Sequence, residues 1–261
     1  RGTHLSQVAF AFMSQNLRSE VEESLGRTVD HASIVPGWAE VQPNRQPIEA
    51  GRRPNRFVFA SRVAGHKGIH TLLEAVNLLM QLGEHDFVID VYGAGEVTDL
   101  LQRIAAQGAQ AQVRYIGSPP KSELLQRLVD YDALVFPTWP REPFGFVVPE
   151  AAGAGCIPIM TRGIGAAEWF LDGIDSLKIG SDAESLAAAM LDVMRMSPQA
   201  AAAMGRRAQQ TTARLLSFER AVDRLEGILG GNGGEVPYAD VRRVEAAMSM
   251  LAEIWRTGQH G

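Results

Sequence analysis

The sequence predicts a doubly wound α/β fold, a Rossmann-like parallel sheet with extra helices at its C-terminal end. From Arg56 onward, short β-rich runs alternate with stretches of helical periodicity. The runs are continuously apolar, so both faces of each strand are expected to be covered. Buried strands separated by helices form one parallel sheet through right-handed crossovers.

The elements follow in order. Residues 56–61 (RFVFAS) read as a strand, and 69–82 carry apolar residues at helical spacing. Strand 86–92 and helix 98–106 come next, then strand 113–116 and helix 122–131. Strand 133–137 ends on a proline. A helix opens at 149–154 with Pro149 in its first turn, where proline is favoured. Strands 156–161 and 176–179 and helix 183–194 complete the alternation, and helices 199–216 and 218–229 close it. Upstream, 8–13 is a strand, Ser14 caps a helix at 16–25, and 31–35 is a second strand. Residues 43–54 read as a connecting loop, 230–234 as a Gly-rich break, and 240–255 as an amphipathic helix.

Composition narrows the class. The 261 residues are 46% hydrophobic and 21% charged, as in ordinary globular domains. A net charge of −5 argues against a nucleic-acid partner. The single cysteine, Cys156, sits in an apolar run and reads as core; a chain without an intrachain disulfide suits the cytoplasm. No apolar run is long enough to span a bilayer.

Ligands of doubly wound sheets bind beyond the carboxyl ends of the strands, so the loops there carry the chemistry. After the first strand of the sheet, Ser61-Arg62 and Lys67-Gly68 form either an anion site or a solvated basic loop. After the second, Gly93 and Gly95 form a turn that is either steric or close to a ligand; without a third glycine it does not support a dinucleotide fingerprint. The next informative loop holds Glu142, Phe144, Gly145, Phe146 and Glu150. Two carboxylates bracketing backbone amides suit a polyhydroxylated, phosphorylated ligand, whereas either carboxylate alone reads as solvated or as complementing a helix dipole. Glu168, after Gly163 and Gly165, either touches the ligand region or caps the following helix.

Taken together, these residues resemble the family 4 retaining glycosyltransferases of the GT-B fold. Ser61-Arg62 and Lys67-Gly68 match one motif, and Glu142 and Glu150 match the Glu-x7-Glu signature around Pro143-Phe144-Gly145-Phe146. Glu150-Ala151-Ala152-Gly153, Gly165 with Glu168, and Asp172-Gly173 extend the match. The resemblance implies a nucleoside diphosphate sugar as donor, a hexose as transferred group, and no cofactor or metal. It implies that Arg62 and Lys67 hold the diphosphate, that Phe144, Gly145 and Phe146 present amides, and that Glu142 binds sugar hydroxyls. It assigns Glu150 to the ribose, and Ile116 and Gly117 to the base.

It also implies a division of the chain. Residues 1–30 would end an acceptor-side domain, 31–230 would bind the donor, and 231–261 would add a linker and helix. Pro36-Gly37 stands where the family has an Asn before the Gly. Transfer by this chain alone is not expected, because the acceptor-side domain would lie outside it; peripheral membrane contact would also come from outside it. The alternative to a transferase is a non-catalytic nucleotide-sugar-binding regulatory module. A less favoured third reading is an epimerase or phosphorylase on the same fold. The intact cation and carboxylate pairs favour the transferase.

Overall fold

The computed structural model describes residues 10–41 and 52–229. The expected break at 230–234, the helix at 240–255 and most of the 43–54 loop lie outside the described residues.

The chain begins with a small parallel unit: β1 (Phe10–Phe12), α1 (Gln15–Leu25) and β2 (Ala32–Ile34). Here β1 pairs with β2, Phe10 opposite Ala32. The expected division after residue 30 falls inside this unit.

The main sheet comprises β3 (Arg56–Ala60), β4 (Val88–Tyr92), β5 (Val113–Gly117), β6 (Ala133–Phe136), β7 (Ile157–Thr161) and β8 (Leu177–Ile179). Its helices are α2 (Ile69–Gln81), α3 (Val97–Ala106), α4 (Lys121–Arg127), α5 (Val147–Gly153), α6 (Ala183–Arg195), α7 (Pro198–Leu215) and α8 (Phe218–Leu229). The strand order is β5-β4-β3-β6-β7-β8, and every pairing is parallel. This confirms the doubly wound reading. Chain direction across the sheet reverses between β3 and β6, where such folds open a crevice.

Successive residues of a strand face opposite sides, and both sides are covered. Phe57 and Phe59 of β3 join one core with Leu72, Val76 and Leu186. Val58 and Ala60 join a second with Phe136, Val148, Ala152 and Trp169. Cys156 lies fully buried in this second core, as expected.

The sequence reading needs amending in three places. The edge strand β5 is only half covered, its residues alternating between buried and open. In β4, Asp90 is buried and held by two hydrogen bonds from Arg114 (2.7 and 2.9 Å) and one from the Tyr131 hydroxyl (2.8 Å). Burial, with the Tyr92 hydroxyl and Asp90 alongside, pushes the Tyr131 phenol well above its ordinary range, so it stays a neutral donor. Lastly, α5 starts two residues before Pro149, at Val147. Proline fits in that first turn because its missing N–H has no intrahelical acceptor there.

Among the described residues, no helix is long and apolar enough to cross a membrane.

Candidate functional site

The loop after β3 is drawn onto the loop after β6. Gly68 has φ +82°, and a Cβ there would stand 1.9 Å from the carbonyl oxygen of Pro137. Only glycine permits that approach. The carbonyl of His66 then accepts hydrogen bonds from the Trp139 amide (3.1 Å) and the Thr138 hydroxyl (3.3 Å). These contacts carry Lys67 across the switch point, where its ammonium pairs with the Glu142 carboxylate. Both side chains are about one-fifth exposed, so the pair is partly shielded yet open to a ligand.

Arg62 lies on the same loop and is exposed, with no hydrogen bond or ion pair among the described residues. It touches neither carboxylate. The loop's other edge is fixed by Val63, whose amide donates to the Ala94 carbonyl (2.9 Å) and whose carbonyl accepts from the Glu96 amide (2.8 Å).

Downstream of Glu142, Phe144 is buried, so only its backbone can meet a ligand, whereas Phe146 is exposed. The amides of Phe144, Gly145 and Phe146 donate to no acceptor among the described residues. Gly37 packs so tightly on the rings of Phe144 and Phe146 that a Cβ would overlap them. The Pro36-Gly37 segment therefore lies directly against the amide loop.

Glu150 follows on α5 with its side chain only 9% exposed. Its partner is one the sequence reading did not name: the Lys121 ammonium, 2.6 Å from Oε1. Lys121 opens α4 just after Gly117. The sequence reading opens this helix one residue later, at 122, and no sequence pattern joins Lys121 to Glu150.

Ile116 and Gly117 end β5 at the same rim of the sheet, and Ile116 is exposed. Gly93 has its backbone engaged within the protein. Its amide donates to the Gly117 carbonyl (2.9 Å), and its carbonyl accepts from the Tyr115 hydroxyl (3.0 Å). A Cβ at Gly93 would meet the Ser61 carbonyl oxygen at 1.8 Å. The steric reading of this glycine suffices, and direct ligand contact by its backbone polar groups is not needed to explain it.

Glu168 resolves differently from either expectation. Its two oxygens accept from the amides of Gln15 and Asn16 (2.8 Å each), at the start of α1 rather than of a following helix. Ser14 donates to the Pro143 carbonyl (3.0 Å), and the Asn16 side chain to the Gly163 carbonyl (2.9 Å).

One group among the described residues has metal-ligand chemistry: donor atoms of His70, Glu96 and Asp99 lie within 4.8 Å of one another. Asp99 is already engaged by Arg103 at 2.7 Å, which holds its carboxyl below the usual range.

The sequence matches a family profile described as Glycosyl transferases group 1 over residues 40–211. The chain belongs to that family. No curated protein matches this group 1 chain. Solved structures do. An S. aureus TarM variant, solved with fondaparinux, α-GlcNAc-glycerol and UDP, has 15% identity and a TM-score of 0.71, over 84% of this chain and 43% of that one. A glycosyltransferase from Rickettsia africae has 17% identity and a TM-score of 0.70, over 86% and 64%. Anabaena HepE, solved with UDP and glucose, has 18% identity and a TM-score of 0.70, over 85% and 62%. Such identities establish a shared fold, the Rossmann-like half of GT-B glycosyltransferases. This group 1 chain spans 43–64% of the length of those three neighbours.

Proposed function

We propose that this chain binds a nucleoside diphosphate sugar and serves a family 4, retaining transfer of a hexose to an acceptor. The observation that carries the reading is the Lys67–Glu142 pair across the β3/β6 crevice. A departing diphosphate needs fixed positive charge at its oxygens. Lys67 and Arg62 supply it, and the amides of Phe144, Gly145 and Phe146 add neutral donors. That arrangement offsets the developing charge without calling on a metal. Glu142, released from Lys67 as the phosphates take the ammonium, accepts from sugar hydroxyls. Glu150 accepts from the ribose, beside Ile116 and Gly117 at the base. Retention follows from attack on the face the diphosphate leaves, with Glu142 as a binding group rather than a nucleophile. A uridine base is the first choice to test, since two of the similar structures hold UDP.

The test is calorimetric titration of the chain with UDP, GDP and ADP and their glucose conjugates, with EDTA present. Micromolar to millimolar binding of one base class, retained in EDTA, is expected. No binding of any of the six ligands overturns the reading.

A further inference from the structure

The Glu150 carboxylate is nearly buried on α5, a helix whose residues from Val148 to Gly153 are all buried. A carboxylate so enclosed is costly unless its charge is met. Among the described residues its partner is Lys121, which is itself 69% exposed and reaches in from the surface. The contact engages Oε1, and Oε2 accepts nothing from the described residues. An ionised carboxylate has about four lone-pair sites, so a hydroxyl can join while the ammonium stays.

Lys121 is also unfavourably placed as a helix residue. It is the first residue of α4, and the preceding Pro120 offers no side-chain cap. A cation there opposes the helix dipole. The pairing with Glu150 gives it a role that the helix does not. Its backbone joins the turn leaving β5 at Gly117, and its side chain ends on α5.

On these grounds we infer that Lys121 is a positioning residue for the nucleotide's ribose: it holds the Glu150 carboxylate oriented to accept a ribose hydroxyl, and ties it to the base-side turn. The inference rests on the donor-binding reading above. It deepens that reading by naming the residue through which base and ribose recognition are coupled.

The experiment compares ribose with 2′-deoxyribose. The 261-residue chain and the variants Lys121→Met, Lys121→Arg and Glu150→Gln are titrated with UDP, GDP and ADP and the 2′-deoxy form of each. Thermal melts confirm that each variant folds, and Lys121→Gln replaces Lys121→Met should the latter not fold. The wild type is expected to prefer the ribo form. Loss of one charge-assisted contact in Lys121→Met should cut that preference about tenfold, toward the Glu150→Gln value. Lys121→Arg should keep most of it, and Lys121→Met should change the preference little on top of Glu150→Gln.

An equal loss for ribo and deoxy forms makes Lys121 a general attractor of phosphate and overturns the inference. Tighter ribo binding in Lys121→Met means that the ammonium competes with the sugar, which also overturns it. A wild type that binds none of the nucleotides removes the donor reading and the inference together. A wild type that binds, with the ribo preference unchanged in Lys121→Met, removes the inference alone.

Discussion

Glu142 and Glu150 each hold a lysine, and the two pairs are built in opposite ways. Glu142 and Lys67 stand on loops after β6 and β3, fastened by the His66 carbonyl and the close approach at Gly68, and both are moderately shielded. Glu150 and Lys121 join helix α5 to the first residue of α4, with a buried acid and an exposed base. The first pair is held by backbone contacts on either side of it. The second depends on one long side chain reaching inward. The difference teaches where the site is preset by backbone contacts, at the proposed phosphate end, and where it depends on a single side-chain contact, at the proposed nucleoside end.

The comparison can be broken most directly at Gly68. Gly68→Ala puts a Cβ into the Pro137 carbonyl at φ +82°. It should cost roughly 2–4 kcal/mol of stability in urea unfolding and abolish UDP binding. A variant of wild-type stability would show that the loops need not meet. The next largest effect separates the two pairs. Lys67→Ala should weaken UDP about 10- to 100-fold while leaving uridine nearly unchanged. Glu150→Ala should weaken both ligands by a similar factor of about ten. Calorimetry with the two ligands reads this directly, and equal loss of UDP and uridine in Lys67→Ala would contradict a diphosphate clamp. The smallest effect is on folding at Arg62. An exposed side chain without a partner among the described residues should change stability by less than about 0.5 kcal/mol when cut to alanine, although UDP affinity falls. A larger loss in the melt would place Arg62 in the fold rather than in the clamp.

Much of this was legible in the sequence for local reasons. Strand and helix periods are set by neighbours a few residues apart, so β3, β6 and β7 appear as apolar runs and α8 as a periodic one. Lys67 and Glu142 were legible as separate candidates because each sits in a recognisable motif at a strand end; their pairing was not. Lys121 was not, since its partner lies 29 positions away on a different element and neither spacing nor pattern joins them. The Asp90 network stayed hidden for the same reason. One aspartate in a strand of valine and isoleucine reveals neither Arg114 nor Tyr131 until the sheet and α4 bring them together. The start of α5 was misplaced because proline can sit at several positions of a first turn.

The carboxylate of Glu168 has a mechanical consequence. It grips two amides of the opening turn of α1, while Ser14 and Asn16 reach back to the carbonyls of Pro143 and Gly163. The small β1–α1–β2 unit is thereby bolted to the segment between Pro143 and Glu168. Swinging that unit away would have to break all four bonds at once, so any shift of the 143–168 segment carries the leading strand pair with it like a lever fixed at its short end.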